Sequence, residues 1–149
     1  MKKFEFPLER VLEIRRLKKL LAEEKLGEAQ RNENAAKSRL DAARKAREEA
    51  VMEMREALSG RLDSRSLKHM VRFGESIDSE IYRHTVDLRA KREITRKARE
   101  IAILRTQEEK ALERHRENKL REYMDAFWWQ QAKILDEIGA ERYLRAKER

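Results

Sequence analysis

The stretch PLERVLEIRRLKKLLAEEKLGEAQRNENAAKSRLDAARKAREEAVMEMREAL, residues 7–58, decides the fold. It opens on Pro7, the single proline of the 149-residue chain. Proline suits the first turn of a helix, where its missing N–H would have no intrahelical partner and its φ is already helical. Nothing after it stops a helix, and only Gly27 weakens one internally. The stretch therefore reads as one helix of about fifty residues, roughly 75 Å long at 1.5 Å per residue.

Steps of four and three from Leu8 reach Leu12, Ala22, Leu26, Ala29, Ala36, Leu40, Ala43, Ala50, Met54 and Ala57, with Arg15, Lys19, Glu33 and Arg47 interrupting. A sustained 4,3 spacing marks a coiled-coil seam, and a helix of this kind is stable in water only when that stripe is covered. Alanine dominates the seam, so a partner helix can approach closely, while the charged positions lower stability and help fix register.

The stripe is lost at SGRLDSRS, residues 59–66, where Ser, Gly and Asp cluster, and Asp63 or Ser64 can cap a new helix. From Leu67 the apolar pattern resumes through Val71, Ile77, Ile81, Leu88, Ile94, Ala98, Ile101, Leu104, Ala111 and Leu112. It continues through Leu120, Met124, Phe127, Ile134 and Ile138, with Gly74 a candidate kink and Gly139 a weakness near the end. The expected fold is all-α: a long two-helix antiparallel coiled-coil hairpin forming one domain over residues 1–149. Helix one covers about 5–58, the turn about 59–66 and helix two about 67–146.

A turn near residue 62 sets residue i of the first helix beside roughly residue 124 minus i of the second. The first helix then runs out, and helix two continues alone from about residue 119. That overhang holds Tyr123, Phe127, Trp128, Trp129, Ile134, Leu135, Ile138 and Tyr143, including both tryptophans of the chain. Such a helix suggests a contact site for another chain, unless Phe4, Phe6 and Leu8 fold back to cover it.

Composition agrees with a hairpin and excludes an ordinary globular interior: 44% of residues are charged, 40% are apolar, and mean hydropathy is −0.97. The chain has no cysteine, which rules out disulfides and thiolate metal sites and fits a reducing compartment. No apolar run approaches the ~20 residues of a spanning helix. The net charge of +8 is not a basic tail, since residues 1–60 hold 15 basic and 12 acidic side chains and the remainder 22 and 17.

Chemistry finds no foothold. A two-helix coil has no dry pocket in which catalytic groups could converge. His69, His84 and His115 stand 15 and 31 residues apart, HExxH is absent, and no phosphate-binding GxxxxGK loop occurs. Adjacent carboxylates such as Glu23 with Glu24, Glu48 with Glu49 and Glu108 with Glu109 are expected to be solvated surface. The reading is a non-enzyme with no cofactor, metal or small-molecule substrate. Arg83, Arg89, Lys91, Arg92, Arg96, Lys97 and Arg99 meet only Asp87 and Glu93 in their stretch. Glu28, Glu33 and Asp41 of the first helix can neutralise part of that patch, and only Tyr82 is available for stacking, so nucleic acid is not favoured as a partner.

The opening FEFPLERVLEIRRLKKLLAEEKLGEAQ resembles the N-terminus of the flagellar export protein FliJ family. Its members begin with Phe-x-Phe, a short Leu-x-x-Val-Leu run, an Arg pair and an acid-rich helix. WWQQAKILDEIGAERYLR is similar to the family's C-terminal Lys-x-x-Asp-Glu pattern, here Lys133, Asp136 and Glu137. The resemblance implies an antiparallel coiled coil similar to a rotary-ATPase central stalk. It implies binding to the hexameric flagellar export ATPase, the linker of the membrane-embedded export gate, and substrate-specific export chaperones. It places the chain in the cytoplasm, peripheral to the inner membrane at the flagellar base. It also implies that the end bearing both termini enters the ATPase ring, with Arg15, Arg16, Lys19, Trp128 and Trp129 as contacts. The family's gate-binding motif of Phe, aliphatic and His matches Phe73, Ile77 and His84, whose spacings of 4 and 7 put them on one helical face. Glu80 stands where a small residue is expected, and Ala43, Ala46 and Ala50 occupy the first-helix side where bulkier residues can occur. Without the resemblance, a rotary-ATPase stalk or a basic nucleic-acid-binding coil would be the competing readings.

Overall fold

Helix formation begins at the turn that Pro7 makes. The Phe6 carbonyl accepts the Glu9 N–H at 3.1 Å and the Leu8 carbonyl accepts the Leu12 N–H at 2.9 Å, which hands the chain into helix α1, Glu9–Leu58. The start expected near residue 5 is therefore four residues too early. Pro7 pushes the residue before it out of the helical region, so Phe4 to Phe6 stay outside the helix. In the computed structural model, which describes residues 3–61 and 63–147, the second element is helix α2, Ser64–Lys147.

Between the helices, the N–H groups of Ser59 and Gly60 reach back to the Glu56 and Ala57 carbonyls, and the Ser59 hydroxyl also donates to Glu56 at 2.6 Å. Asp63 is the cap: its Oδ1 accepts the Ser66 N–H at 2.9 Å, and its carbonyl accepts that of Leu67 at 3.2 Å. That cap starts α2 three residues earlier than expected, and residue 62 lies outside the described residues. α1 passes through Gly27 without interruption, and α2 does the same at Gly74 and Gly139. Among the described residues no helix is long and apolar enough to cross a membrane.

Contacts group the residues into two units, Leu21–Ile103 and Met1–Leu20 with Leu104–Arg149. In the first, α1 contributes Ala22, Ala29, Ala36, Leu40 and Ala43, and α2 contributes Ile77, Leu88, Thr95 and Ala102 as buried seam residues. Ala36, Leu40 and Leu88 pack together with Ile81 against them. Ion pairs join Arg47 to Asp78 (2.6 Å), Arg39 to Asp87 (3.8 Å) and Arg92 to Glu33 (3.6 Å). Each pair's numbers add to 125 or 126, an antiparallel register within two residues of the expected 124. The Thr95 hydroxyl, although buried, is satisfied by the Lys91 carbonyl at 3.1 Å.

In the second unit the α1 and α2 segments are again antiparallel, with Glu9 paired to Arg116 at 3.0 Å and Arg15 to Glu108. Leu12 is fully enclosed. Phe6 packs beside His115, ring centroids 5.8 Å apart, and Phe4 beside Tyr123 at 5.5 Å. The fold is thus the two-helix coiled-coil hairpin that the 4,3 spacing implied.

The seam of α2 departs from the apolar pattern read in the sequence. Ile77, Ile81, Leu88 and Ala98 keep their expected places, but Ile94, Ile101 and Leu104 are half exposed, whereas Lys91, Thr95, Ala102, Arg105 and Glu109 turn inward. Because α1 offers mainly alanine and charge, the facing positions are filled by small residues and counter-charges rather than by the largest apolar side chains.

Candidate interaction surfaces

Arg15 and Lys19 sit on the α1 seam, where a cation is tolerated only beside a carboxylate. α2 supplies two. Lys19 Nζ lies 2.7 Å from Glu109 Oε2, and Arg15 pairs with Glu108, which also takes Arg105 at 2.9 Å. Arg16 reaches Glu113 at 3.0 Å and Glu109 at 3.9 Å. Glu109 is only 7% exposed, so the expectation that Glu108 and Glu109 are solvated surface is wrong for this pair. The hydrogen bond from Arg15, and then that from Arg105, holds the Glu108 carboxyl below its ordinary value. Three of the five residues expected to face the ATPase ring, Arg15, Arg16 and Lys19, are therefore engaged across the seam. Of the three, Arg16 is the most exposed.

The other two, Trp128 and Trp129, are 62% and 68% exposed. Phe127 meets Trp128 edge-on at 5.4 Å, and the Lys133 ammonium lies 6.0 Å from the Trp129 ring centroid, one helical turn away. Phe4 and Phe6 do fold back, but they reach Tyr123 and His115 and leave the tryptophans, Ile134, Leu135, Ile138, Tyr143 and Leu144 exposed. The same unit turns Ile14, Leu17 and Leu20 of α1 outward. These three apolar residues alternate with Arg15, Arg16, Lys18 and Lys19, so that stretch of sequence reads as a charged helix side. The available signal was that they fall off the 4,3 stripe.

In the other unit the residues expected to meet the export gate divide. Ile77 is 5% exposed and belongs to the seam, His84 is half-buried on its edge, and Phe73 is 54% exposed. All three share a side of α2, as the 4 and 7 spacing requires, but that side is the flank of the seam, so only Phe73 is presented freely. The basic stretch is balanced in part, at three of its seven cations. Arg96 bridges Glu93 and Glu100, Lys97 approaches Glu93, and Arg92 reaches Glu33. Paired guanidinium groups of this kind are poor candidates for a phosphate-tracking stripe. An apolar groove open to solvent runs beside Ala22, Ala29, Ile94, Ala98 and Ile101. Among the described residues no cluster of His, Asp or Glu is placed to hold a metal ion.

Comparison with known proteins agrees with this architecture. A solved structure of a proposed YscO homolog from Chlamydia trachomatis shares the fold, with a TM-score of 0.55 and 19% identity over 99% of each chain. No curated protein matches the sequence. The family model of the flagellar FliJ protein matches residues 4–148, nearly the whole chain with both helices. The chain belongs to the flagellar FliJ protein family.

Proposed function

We propose that this chain is a non-enzymatic component of the flagellar type III export apparatus. It works in the cytoplasm against the inner membrane at the flagellar base. In this reading it binds the hexameric export ATPase, promotes its assembly and turnover, and links it to the export gate and to substrate chaperones. The family match over residues 4–148 carries the reading. The fold-level likeness to a proposed YscO homolog is compatible with it.

The exposed aromatic end of α2 is assigned to the ATPase, with Trp128 and Trp129 as anchors and Arg16 as the accessible cation. Large aromatic side chains with little conformational entropy to lose are the usual centres of protein contacts. Arg15 and Lys19 act indirectly, by holding the seam beneath that end. The gate contact is assigned to Phe73 with the edge of His84, while Ile77 keeps α2 seated on α1.

The test is ATP hydrolysis and oligomerisation of the cognate flagellar export ATPase with and without this chain. Higher turnover and a larger hexamer fraction are expected on addition. Unchanged turnover and assembly would remove the proposal.

A further inference from the structure

The apolar stripe of α2 changes phase where α1 ends. Up to Tyr123 the seam against α1 and the N-terminal segment uses positions 105, 109, 112, 116 and 123. Carried on by the same 4,3 steps it would meet Ala126, Gln130, Lys133 and Glu137, which are small, polar or charged. The large apolar residues lie one position later, at Leu120, Met124, Phe127, Ile134 and Ile138, with Gln131 completing the 4,3 series. All but Phe127, which is half-buried, are exposed. A one-residue step turns a helix face by about 100°. This second stripe is therefore built for a partner other than α1, and its regular heptads fit another helix.

The stripe is complementary to itself. Laid antiparallel on a second copy about a two-fold axis near residue 129, Leu120 meets Ile138, Met124 meets Ile134, and Phe127 meets Gln131, each layer occurring twice. The flanking positions then place Trp128 beside its own copy, Arg121 near Leu135 and Tyr123 near Glu137, with no like charges opposed. The apolar series stops at both limits of this overlap. Beyond Ile138 the next stripe positions are Glu141 and Arg145. Below Leu120 the helix is already covered by α1 and by Phe6, which packs beside His115, while Phe4 reaches Tyr123 on the flank of the stripe. A parallel pairing would instead bring the two covered regions side by side. We propose that residues 120–138 of α2 form an antiparallel homodimer contact with the same segment of a second copy of this chain.

This goes beyond the export reading, in which Trp128 meets the ATPase, so the dimer and the ATPase complex are alternative states of the chain. It is tested on the chain alone, and a failure to bind the ATPase would leave the result untouched. Sedimentation equilibrium of the full chain is expected to show a concentration-dependent dimer. Ile134→Glu, which sets two charges in the contact, should weaken association at least ~100-fold while circular dichroism retains the helix. Gln131→Leu, which replaces the polar layer, should tighten it about tenfold. Because the chain has no cysteine, Leu120→Cys and Ile138→Cys proteins can be mixed and joined by a short bis-maleimide. Mixed dimers should form, and neither protein should link to itself, since like positions lie roughly 27 Å apart at 1.5 Å per residue. A chain that stays monomeric to about 100 µM, an unchanged dimer in either the Glu or the Leu variant, or self-linked Ile138→Cys would each overturn the proposal.

Discussion

Glu109→Gln is the sharpest probe of the charged layer in the seam. The change keeps the side chain's shape and removes its charge, leaving Lys19 without the carboxylate that stands 2.7 Å from its ammonium and Arg16 without its 3.9 Å neighbour. At an effective dielectric near 20, a pair at that separation attracts by about 6 kcal/mol, most of which offsets the desolvation of Glu109. Removing one member of a fully buried pair costs about 3–5 kcal/mol. Here Lys19 is 29% exposed and can lean toward water, so the expected loss is nearer ~2 kcal/mol. With a urea dependence of about 2 kcal/mol per molar, the midpoint should fall by roughly 1 M. The assay is urea unfolding followed by circular dichroism at neutral pH. The double variant Lys19→Leu with Glu109→Leu should regain at least wild-type stability, because an apolar pair of similar volume needs no desolvation. A Glu109→Gln midpoint within error of the parent, or a double variant as weak as the single one, would show that the Lys19–Glu109 pair does not hold the seam.

Leu12→Ala, at the fully enclosed position of α1, should cost ~2–4 kcal/mol in the same unfolding experiment. Gly74→Ala should raise stability by ~0.5–1 kcal/mol, since the helix continues through Gly74 and an added Cβ there meets nothing within 4 Å. Arg47→Ala, which breaks an exposed pair with Asp78, should change stability by less than ~1 kcal/mol and lose even that in high salt. Acid should weaken the hairpin through Glu108 and Asp63, both lowered in the folded state, the first by Arg15 and Arg105 and the second by Ser66. A lowered folded value means the stabilisation is complete above the unfolded value, about 4 for these carboxyls, and disappears as pH falls through the folded one. The Glu108→Gln protein should therefore show a shallower loss of stability below about pH 4.5 than the parent.

The α1 stripe was legible because Ala22, Ala29, Ala36, Leu40 and Ala43 are apolar at seam positions and stay buried there. The α2 stripe was legible at Ile77, Ile81, Leu88, Ala98 and Leu112 but not between them, because hydrophobicity favours Ile94, Ile101 and Leu104 while packing selects Thr95, Ala102 and Glu109. What decides is the partner: charged positions in α1 require counter-charges opposite. The arithmetic for finding them was available, since Arg15 in the 124 register points at residue 109. Helix lengths alone revealed that the tryptophans lie beyond the end of α1. Whether Ile77 faces a partner or the seam could not be read from a spacing of 4 and 7, because that spacing identifies a side of the helix and not what the side meets. The Pro7 start was misplaced by a few residues for a local reason, the restriction proline imposes on Phe6.

Which residues near the two termini are free to meet another protein is read out by binding of the cognate export ATPase to the parent chain and two double variants. Trp128→Ala with Trp129→Ala should weaken binding at least tenfold with helix content unchanged, whereas Lys19→Leu with Glu109→Leu should bind as the parent does. Full binding by the tryptophan variant, together with its loss on replacing the seam pair, would contradict the account.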